Sequence, residues 1–428
     1  NNPPATSWPE LCRPPALPVQ DLTQLTQEIF SAIQQYGDEA LIKYTQQFDQ
    51  IYDPSIQVAE TAIAEAAQEI SPQLKAAIQV AYTNIRSFHA AQAIPTAVIE
   101  TTEGVRCWSE SRAIEKVGLY IPGGTAPLFS TLLMLGIPAM LAGCREIVLC
   151  TPPDRDGNIH PAIRYTAGLI GITKIIKAGG IQAIGAMTLG TASVPAVYKI
   201  FGPGNQYVTA AKQAALAYGV AIDLPAGPSE VLVIADEYAD ADFVAADLLA
   251  QAEHGTDSQV MLVCNSASLA ERVATALQGQ LEALPRRTIA SKALEGSRTL
   301  IFSDLEACFD FSNVYAPEHL ILNVKNAARY TGRIINAGSV FIGPYSCESA
   351  GDYASGTNHT LPTNGYARNY SGVSLSSFFK SITFQQLSEE GIQNLGPAIE
   401  AMAEAEQLQA HKEAVSIRLK KLATKQQL

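Results

Sequence analysis

The chain has 428 residues, of which 47% are hydrophobic, and a formal net charge of −12 at pH 7. A chain of this length and apolar content can bury a large core and should divide into two or more domains. The excess of acidic side chains argues against nucleic acid or an anionic membrane as a partner, because phosphate groups are bound by clustered Lys and Arg.

The cysteine pattern bears on the cellular compartment. The seven cysteines are odd in number and scattered, and they include no C-x-x-C pair. The sequence therefore supports neither a disulfide framework nor a thiolate zinc finger. A reducing compartment fits best, so we expect the cytoplasm, or the plastid stroma if an upstream transit peptide has been removed.

The N-terminal part carries a helical pattern. Apolar residues recur at helical spacing from 22 to about 91, as in Leu25, Ile29 and Ile33, and this spacing predicts helices. The uncharged stretch 121–144 is long enough to suggest a membrane span. It is interrupted by glycine and proline, so a strand, a glycine turn, a buried helix and a second strand explain it better, and we expect no membrane partner.

Strands and helices then alternate in two cycles. The first cycle predicts strands at 116–121, 146–150 and 174–177, with helices at 132–141 and 163–169. The second predicts strands at 230–234, 259–263, 300–302 and 339–341, with a helix at 241–252. Beyond Pro397, a stripe of Leu408, Val415, Leu419 and Leu422 predicts one amphipathic helix.

These patterns predict an α/β fold with two doubly wound parallel-sheet domains, each an incomplete Rossmann-like unit, and helical extensions at both termini. The predicted parts are an N-terminal arm (1–24), a helical region packing with the second α/β domain (25–115), a first α/β domain (116–228), a second α/β domain (229–380) and a C-terminal helical tail (381–428).

Two glycine turns follow predicted strands, one at 202–205 (GPGN) and one from Gly179-Gly180 to Gly185. Backbone N–H groups in such turns can bind a pyrophosphate. Neither turn completes G-x-G-x-x-G, and no acidic residue is placed persuasively to hold a ribose. Considered alone, these turns favour tight packing corners over a cofactor site.

Four of the six histidines lie in the C-terminal half, in polar or acidic settings. Gln251 and His254 share one face at the end of the predicted helix, where they could hold one metal ion, although a lone histidine there is more often a cap. Glu318 and His319 precede an apolar run, at the mouth of a buried strand. Neutral imidazoles gathered with carboxylates are what a zinc ion and a general acid–base both require, so the grouping predicts an enzyme.

The other two histidines are more ambiguous. Asp352 and His359 lie in a segment rich in Gly, Ser and Asn, which suits a site and a solvated loop equally. His411 lies on the stripe of the last helix, where a packed core histidine is the simpler interpretation. Glu406 is five residues away, about 140° around a helix of 3.6 residues per turn, so both can serve one centre only if the site embraces the helix.

Six runs, in order along the chain, resemble the histidinol dehydrogenase family over about 29–422: LYIPGG (119–124), FGPGN (201–205), PAGPSE (225–230), QAEHG (251–255), PEHL (317–320) and SAGDYASGTNH (349–359). The resemblance implies a zinc-dependent, NAD-linked four-electron oxidation of L-histidinol to L-histidine through L-histidinal. A zinc hydrolase or deaminase is the alternative enzyme, weakened by the lack of H-E-x-x-H and of a cysteine-ligated deaminase signature. A zinc-stabilised ligand-binding protein is the alternative outside enzymology.

The resemblance also implies residue roles. The zinc ligands would be Gln251, His254, Asp352 and His411, leaving two positions on the zinc for the substrate. The remaining histidinol contacts would be Ser229, Glu318, His319, His359 and Glu406. The NAD contacts would be Tyr120, Gln182 and Asn205, which assigns NAD to the first α/β domain. Cys347 is not a position that the family needs, so we do not expect it to act as a nucleophile.

The implied chemistry assigns proton transfer to two residues. His319 would take the hydroxyl proton as hydride leaves the alcohol, and Glu318 would activate the water that adds to the aldehyde. The family resemblance further implies a homodimer whose C-terminal tails exchange, so that Glu406 and His411 complete the partner's site.

Overall fold

The computed structural model describes residues 1–13, 21–51, 55–123, 126–225 and 227–425. Residues 14–20 of the predicted arm, Gly124 of the LYIPGG run and Ala226 of the PAGPSE run lie outside them. The chain divides into two compact units. The first comprises Asn1–Gln92 and Ile114–Phe378, and the second comprises Ala93–Ala113 and Phe379–Leu428.

Helices open the first unit, as the spacing predicts. They are α1 (Trp8–Leu11), α2 (Thr23–Tyr36), α3 (Asp38–Asp49), α4 (Glu60–Glu69) and α5 (Pro72–Ala90). α5 begins where Ser71 accepts a hydrogen bond from the Leu74 N–H and Pro72 occupies the first turn. Two strands of the second unit follow, β1 (Ile99–Thr102) and β2 (Val105–Ala113).

The first α/β domain is built on a five-stranded parallel sheet in the order β5-β4-β3-β6-β7. Its strands are β3 (Lys116–Tyr120), β4 (Glu146–Thr151), β5 (Lys174–Lys177), β6 (Lys199–Phe201) and β7 (Ala221–Ile222). Its helices are α6 (Phe129–Ala142), α7 (Pro161–Ile170), α8 (Gly180–Leu189) and α9 (Gln206–Ala215). The chain winds in both directions from the central β3, which confirms the doubly wound prediction.

The stretch that resembled a membrane span is a buried helix of this domain. α6 is apolar on all sides and almost wholly buried, which is what a helix in the core of a large domain requires. It ends at Gly143, whose φ of 81° is the left-handed cap that glycine favours. None of the helices in the described residues is long and apolar enough to cross a membrane.

The second α/β domain repeats the pattern, with a parallel sheet in the order β10-β9-β8-β11-β12. Its strands are β8 (Glu230–Ala235), β9 (Gln259–Cys264), β10 (Arg298–Ile301), β11 (His319–Asn323) and β12 (Ser339–Ile342). Its helices are α10 (Ala241–Ala252), α11 (Ala267–Ala283), α12 (Arg287–Glu295), α13 (Leu305–Tyr315) and α14 (Glu348–Tyr353). β8 and β9 are buried on both faces, as parallel strands covered by helices must be.

The N-terminal helices do not pack as predicted. We expected the region to pack with the second α/β domain, but Ile29, Phe30 and Ile33 of α2 join the core of the first domain with Ile184 of α8. The apolar face of α2 fits the almost wholly buried α8, and sequence periodicity reveals such a face without revealing its partner. α5 also reaches the second domain, where Asn84 donates to the Ala354 carbonyl at 2.8 Å.

The second unit contains an antiparallel sheet that the sequence pattern did not predict. β2 pairs with β1 and, over its full length, with β13 (Phe379–Leu387). We had placed 99–113 inside a helical region and found no strand in the segment after 360. These strands are mostly exposed and carry polar residues on both faces, so they lack the alternation of apolar and polar residues that marks a half-buried strand.

The tail is two helices, α15 (Glu389–Ala405) and α16 (Gln409–Lys425), so the prediction of one helix beyond Pro397 is wrong. Gln407 adopts a left-handed φ of 61°. Its N–H donates to Glu404 O at 3.0 Å and the Leu408 N–H donates to Ala403 O at 2.8 Å, which is a Schellman cap. This cap separates Glu406 from α16, which carries His411. The angle between these two residues around one continuous helix therefore does not apply.

Candidate active site

The predicted catalytic side chains lie at the amino ends of strands of the second sheet. Glu318 directly precedes His319, the first residue of β11, and Glu230 is the first residue of the neighbouring β8. The parallel register pairs His319 with Val231. Ligands of open parallel sheets usually bind at the carboxyl ends of the strands, so these residues use the opposite edge.

The backbone of Glu230 holds both side chains. Its N–H donates to the Glu318 carboxylate at 2.8 Å, and its carbonyl lies 3.1 Å from Nδ1 of His319. Since a carbonyl only accepts, Nδ1 carries the hydrogen and the neutral imidazole keeps its lone pair on Nε2. This Nε2 is buried and has no hydrogen-bond partner among the described residues. When the imidazole is neutral, this nitrogen can therefore accept a proton from a bound molecule.

Burial and neighbouring charges shift both pKa values. Burial raises the pKa of Glu318 to about 7, against the opposing effect of His319. Burial by itself would lower the pKa of His319, but the carboxylates of Glu318, Glu348 and Asp352 outweigh it and raise the pKa to about 10. His319 lies 3.6 Å from a Glu318 oxygen and 3.7 Å from an Asp352 oxygen. The imidazole is thus held among acidic groups.

A group of metal-type donors lies next to this pair. His254, Glu348 and Asp352 each offer one ligand atom, and these atoms lie within 4.8 Å of one another. Gln251, the third predicted ligand of the first unit, is buried in the last turn of α10, and the N–H of His254 donates to its carbonyl at 3.2 Å. Mixed nitrogen and oxygen donors of this kind suit a zinc ion.

Glu348 is a member of this group that the sequence reasoning missed. The Glu348 side chain is buried. If the amide nitrogen of Gln251 is turned toward it, that nitrogen donates to both carboxylate oxygens of Glu348, at 3.2 Å for Oε2. This contact leaves the amide oxygen of Gln251 free for another partner. The sequence did contain a signal for Glu348. It lies four residues before Asp352, and two residues with this spacing share one face of a helix. The sequence suits a site and a solvated loop equally here and does not predict the helix α14 that 348–353 form.

The predicted substrate contacts His359 and Ser229 also lie in the first unit. Nδ1 of His359 bonds the Asp352 carbonyl at 2.9 Å and Nε2 bonds the Thr131 hydroxyl of α6 at 3.0 Å. His359 therefore links the donor group to the first α/β domain. Ser229 is half-buried beside Glu230 at the start of β8.

Glu406 and His411 belong to the second unit. Glu406 is the cap residue of α15, and His411 lies in the first turn of α16. Both are exposed, which removes the interpretation of His411 as a packed core histidine. Their contribution to the site stays a prediction.

A cavity of about 970 Å³ opens at the carboxyl ends of the first sheet. Tyr120, Gln182 and Asn205, the three predicted NAD contacts, all line it. The cavity lies at the upper end of the size range of ordinary ligand pockets, about 300–1,000 Å³, which suits a large ligand. The Gly180 N–H, at the start of α8, donates to the Tyr120 hydroxyl at 3.2 Å, so the glycine turn is part of the cavity wall.

The fold also brings an acidic residue to this cavity. Asp49, at the end of α3, lines it and accepts a hydrogen bond from Gln182 Nε2 at 3.3 Å. Burial raises the pKa of Asp49 to about 6. We had found no acidic residue persuasively placed for a ribose, because Asp49 comes from the N-terminal helices and only tertiary packing places it here.

Together these features define a two-domain α/β protein with a ligand-sized cavity on one sheet and, on the other, a buried carboxyl and imidazole beside a metal-type donor group. Comparison with known proteins agrees. Residues 13–419 match the family model described as histidinol dehydrogenase. The crystal structure of histidinol dehydrogenase from Elizabethkingia anophelis is 60% identical, with a TM-score of 0.97, covering 99% of this chain and 98% of that chain.

Sequence relatives agree as well. A histidinol dehydrogenase of Bacteroides fragilis is 55% identical over 420 residues, which cover 98% of each chain. A chloroplastic histidinol dehydrogenase of Arabidopsis thaliana is 54% identical over 402 residues, which cover 93% of this chain and 86% of the relative. The chain belongs to the histidinol dehydrogenase family. It is an oxidoreductase, as predicted, and the hydrolase and ligand-binding alternatives are set aside.

The buried carboxyl of Glu230 predicts a pH-dependent stability. Burial, with the neighbouring Glu318 carboxylate, raises its pKa from 4.5 to about 8. A raised pKa in the folded state contributes stability that is fully present below about pH 4.5 and is lost as the pH rises through about 8. Glu230→Gln stays neutral and keeps an oxygen for the Asn364 N–H, which lies at 2.8 Å. The difference between the melting temperatures of Glu230→Gln and the parent should therefore depend on pH. We expect it to shift by a few degrees in favour of the variant when the pH is raised from about 5 to about 9.

Differential scanning calorimetry at both pH values measures this effect. The matched control is Glu146→Gln, at a carboxylate whose pKa is lowered: partial burial opposes the shift, but Lys174 and Lys116 outweigh it. That variant should show no relative gain at high pH. A Glu230→Gln difference that is the same at both pH values would contradict the raised pKa.

Proposed function

We propose that this chain catalyses the last steps of histidine biosynthesis, the zinc-dependent, NAD-linked oxidation of L-histidinol through L-histidinal to L-histidine. Family membership supports the substrate. The observation that carries the mechanism is the pair Glu318 and His319, buried together and held by Glu230, with Nε2 of His319 left free. Two successive oxidations require one group that accepts protons twice and one that activates water, and this pair can do both.

The proposed zinc ligands are Gln251, His254, Asp352 and His411. Three of them lie in or beside the donor group of the first unit, and their nitrogen and oxygen donors suit zinc. A bound zinc would supply a fixed positive charge that holds and orients the imidazole and amino groups of the substrate. Glu348 supports this assignment, because a Gln251 amide whose nitrogen is turned toward the Glu348 carboxylate would present its oxygen to the zinc.

His319 is the proposed base in both oxidations. Its Nδ1–H is directed to the Glu230 carbonyl, which leaves Nε2 to take the proton of the substrate hydroxyl. At the same time a hydride leaves the carbon that carries this hydroxyl. NAD, when bound, supplies the hydride acceptor. The carboxylates that raise the pKa of His319 to about 10 include Asp352. A cation held by Asp352 would offset that charge and lower the pKa of His319 toward neutrality, so that more of the imidazole is unprotonated at neutral pH and able to accept a proton.

Glu318 is the proposed activator of water. The aldehyde must gain water before a second hydride can leave, and a carboxylate beside the reacting carbon takes a proton from that water as the C–O bond forms. Burial raises the pKa of Glu318 to about 7, which makes it a stronger base than an exposed glutamate while it remains partly ionised at neutral pH. His319 must release the proton of the first oxidation to solvent before it takes the hydroxyl proton of the hydrate, and a second NAD would accept the second hydride.

The cavity on the first sheet is the proposed NAD site. Its volume and its lining by Tyr120, Gln182 and Asn205 support this assignment. The hydrogen bond between Nε2 of His359 and the Thr131 hydroxyl joins the donor group to α6, and Pro127 and Ala126, which precede α6, line the same cavity. A cofactor in this cavity would thus adjoin the helix that contacts the catalytic segment.

A homodimer with exchanged tails is the proposed assembly. His411 is exposed, as are the aromatic residues Tyr345 and Tyr353 near the two ends of α14. Tyr345 is 87% exposed, and exposed apolar groups beside a site commonly mark a surface that a partner covers. For the compartment, we propose the cytoplasm or the plastid stroma, and the chloroplastic relative of Arabidopsis thaliana supports the second.

The first functional prediction concerns zinc. Removing metal with a chelator should abolish the oxidation of histidinol, followed as NADH absorbance, and added zinc should restore it. Magnesium is the control, because it prefers oxygen ligands and should not restore activity. Full activity in protein shown by metal analysis to be zinc-free would refute the ligand assignment.

A second prediction separates the catalytic pair. Glu318→Gln should slow the oxidation of histidinal far more than that of histidinol, because only the aldehyde needs activated water. His319→Ala should slow both by about 100-fold or more, a typical magnitude for a lost acid–base group. Each half-reaction is measured by supplying histidinol or histidinal separately. Equal losses in both for Glu318→Gln would show that this division of roles is wrong.

A third prediction concerns the tails. Refolding two inactive variants together, His319→Ala and His411→Ala, should restore activity. In a mixed dimer with exchanged tails, one site receives both lesions and the other receives none. Each variant refolded alone is the control and should stay inactive. Mixed dimers that form and remain inactive would show that each tail serves its own subunit.

A further inference from the structure

Lys212 and Asp223 form a buried ion pair beneath the turn 202–205. Their side chains are only 2% and 1% exposed, and Lys212 Nζ contacts Asp223 Oδ1 directly. Lys212 lies on α9, and Asp223 follows β7. Charges taken out of water to this extent are costly unless they are paired and hydrogen-bonded. The contacts of this pair therefore indicate what it serves.

Most of those contacts are to the backbone of one residue, Gly202. Lys212 Nζ donates to the Gly202 carbonyl at 2.8 Å, and Asp223 Oδ2 accepts from the Gly202 N–H at 2.7 Å. The other oxygen, Oδ1, also accepts from the Leu224 N–H at 2.7 Å. Both polar backbone groups of Gly202 are thus held by the two charges.

The position of Gly202 is tightly constrained. Its φ of 132° lies in the region that glycine favours, and a Cβ there would lie 2.0 Å from the Tyr120 carbonyl. The turn therefore lies against the end of β3, where Tyr120 lines the cavity. Three residues on, Asn205 lines the same cavity and caps α9 by accepting from the Tyr207 and Val208 N–H groups.

We propose that Lys212 and Asp223 are positioning residues for the dinucleotide, acting through this turn. They fix Gly202 against Tyr120, and so fix where Asn205 meets the cofactor. This inference rests on the proposed NAD site. Apolar residues of similar volume often stabilise a core as well as a buried ion pair does, whereas this pair directs both charges at a turn that ends at the cavity-lining Asn205.

The experiment compares cofactor binding in three variants of the zinc-loaded enzyme. Lys212→Met removes the donor to Gly202. Lys212→Met with Asp223→Asn removes both charges and leaves no unpaired one. Asp223→Asn alone keeps an oxygen for the Gly202 N–H but leaves the buried charge of Lys212 unpaired. The control is Lys174→Met, which breaks a 3.1 Å pair with Glu146 at the amino ends of the same sheet, away from the cavity.

Three quantities are measured for each variant: the Kd for NADH by fluorescence titration, the KM for histidinol, and the bound zinc. We expect the Kd for NADH to rise at least tenfold in Lys212→Met and in the double variant. The KM for histidinol and the zinc content should stay within about twofold of the parent, since cofactor and metal contacts lie on different sheets. Lys174→Met should resemble the parent in all three.

Three results would overturn the inference. One is an unchanged Kd for NADH in folded variants. Another is a parallel loss of zinc and cofactor binding, which would show a general structural defect. The last is failure of every variant to fold, because the pair would then serve the whole domain. A parent enzyme that binds no NADH would instead refute the proposed NAD site, so the two failures are distinguishable.

Discussion

Two backbone hydrogen bonds at Glu230 hold the side chains of the candidate active site, Glu318 and His319. The N–H of this residue orients the Glu318 carboxylate and its carbonyl orients the His319 imidazole. Both bonds exist because β8 and β11 are neighbouring parallel strands, whose register places the first residue of one beside the residues that open the other. An imidazole held by a sheet backbone keeps one tautomer and one direction, so the buried core strands orient the proposed acid–base pair.

Placing these groups at a buried sheet edge has an electrostatic consequence. Glu230, Glu318 and Glu348 are buried at the same edge of the second sheet. Burial raises the pKa of each of these carboxyl groups to about 7 or 8. Asp352 differs: burial by itself would raise its pKa, but the neighbouring histidines outweigh it and lower the pKa. A concentration of acidic groups in low dielectric is unfavourable without positive charge. A divalent cation at the donor group would supply that charge and relieve the repulsion.

The two sheets have the same strand order but present opposite edges to the chemistry. The cavity opens at the carboxyl ends of the first sheet, and the acid–base pair lies at the amino ends of the second. His359 connects them through its bonds to Asp352 and Thr131. Similar folds in one chain thus contribute differently, because the candidate site residues gather at opposite ends of the strands in the two sheets.

The sequence by itself determined the alternating strands and helices, the buried α6 and the grouping of Gln251 with His254, because each depends on spacing within about 20 residues of chain. Segments without an apolar period were missed, namely the exposed sheet of β1, β2 and β13 and the helix break at Gln407, where the left-handed residue is not glycine. Tertiary structure alone decided that Asp49 reaches the cavity and that Glu230 holds the catalytic pair. Those contacts join residues tens to more than a hundred positions apart, and only the packing of whole elements brings such residues together.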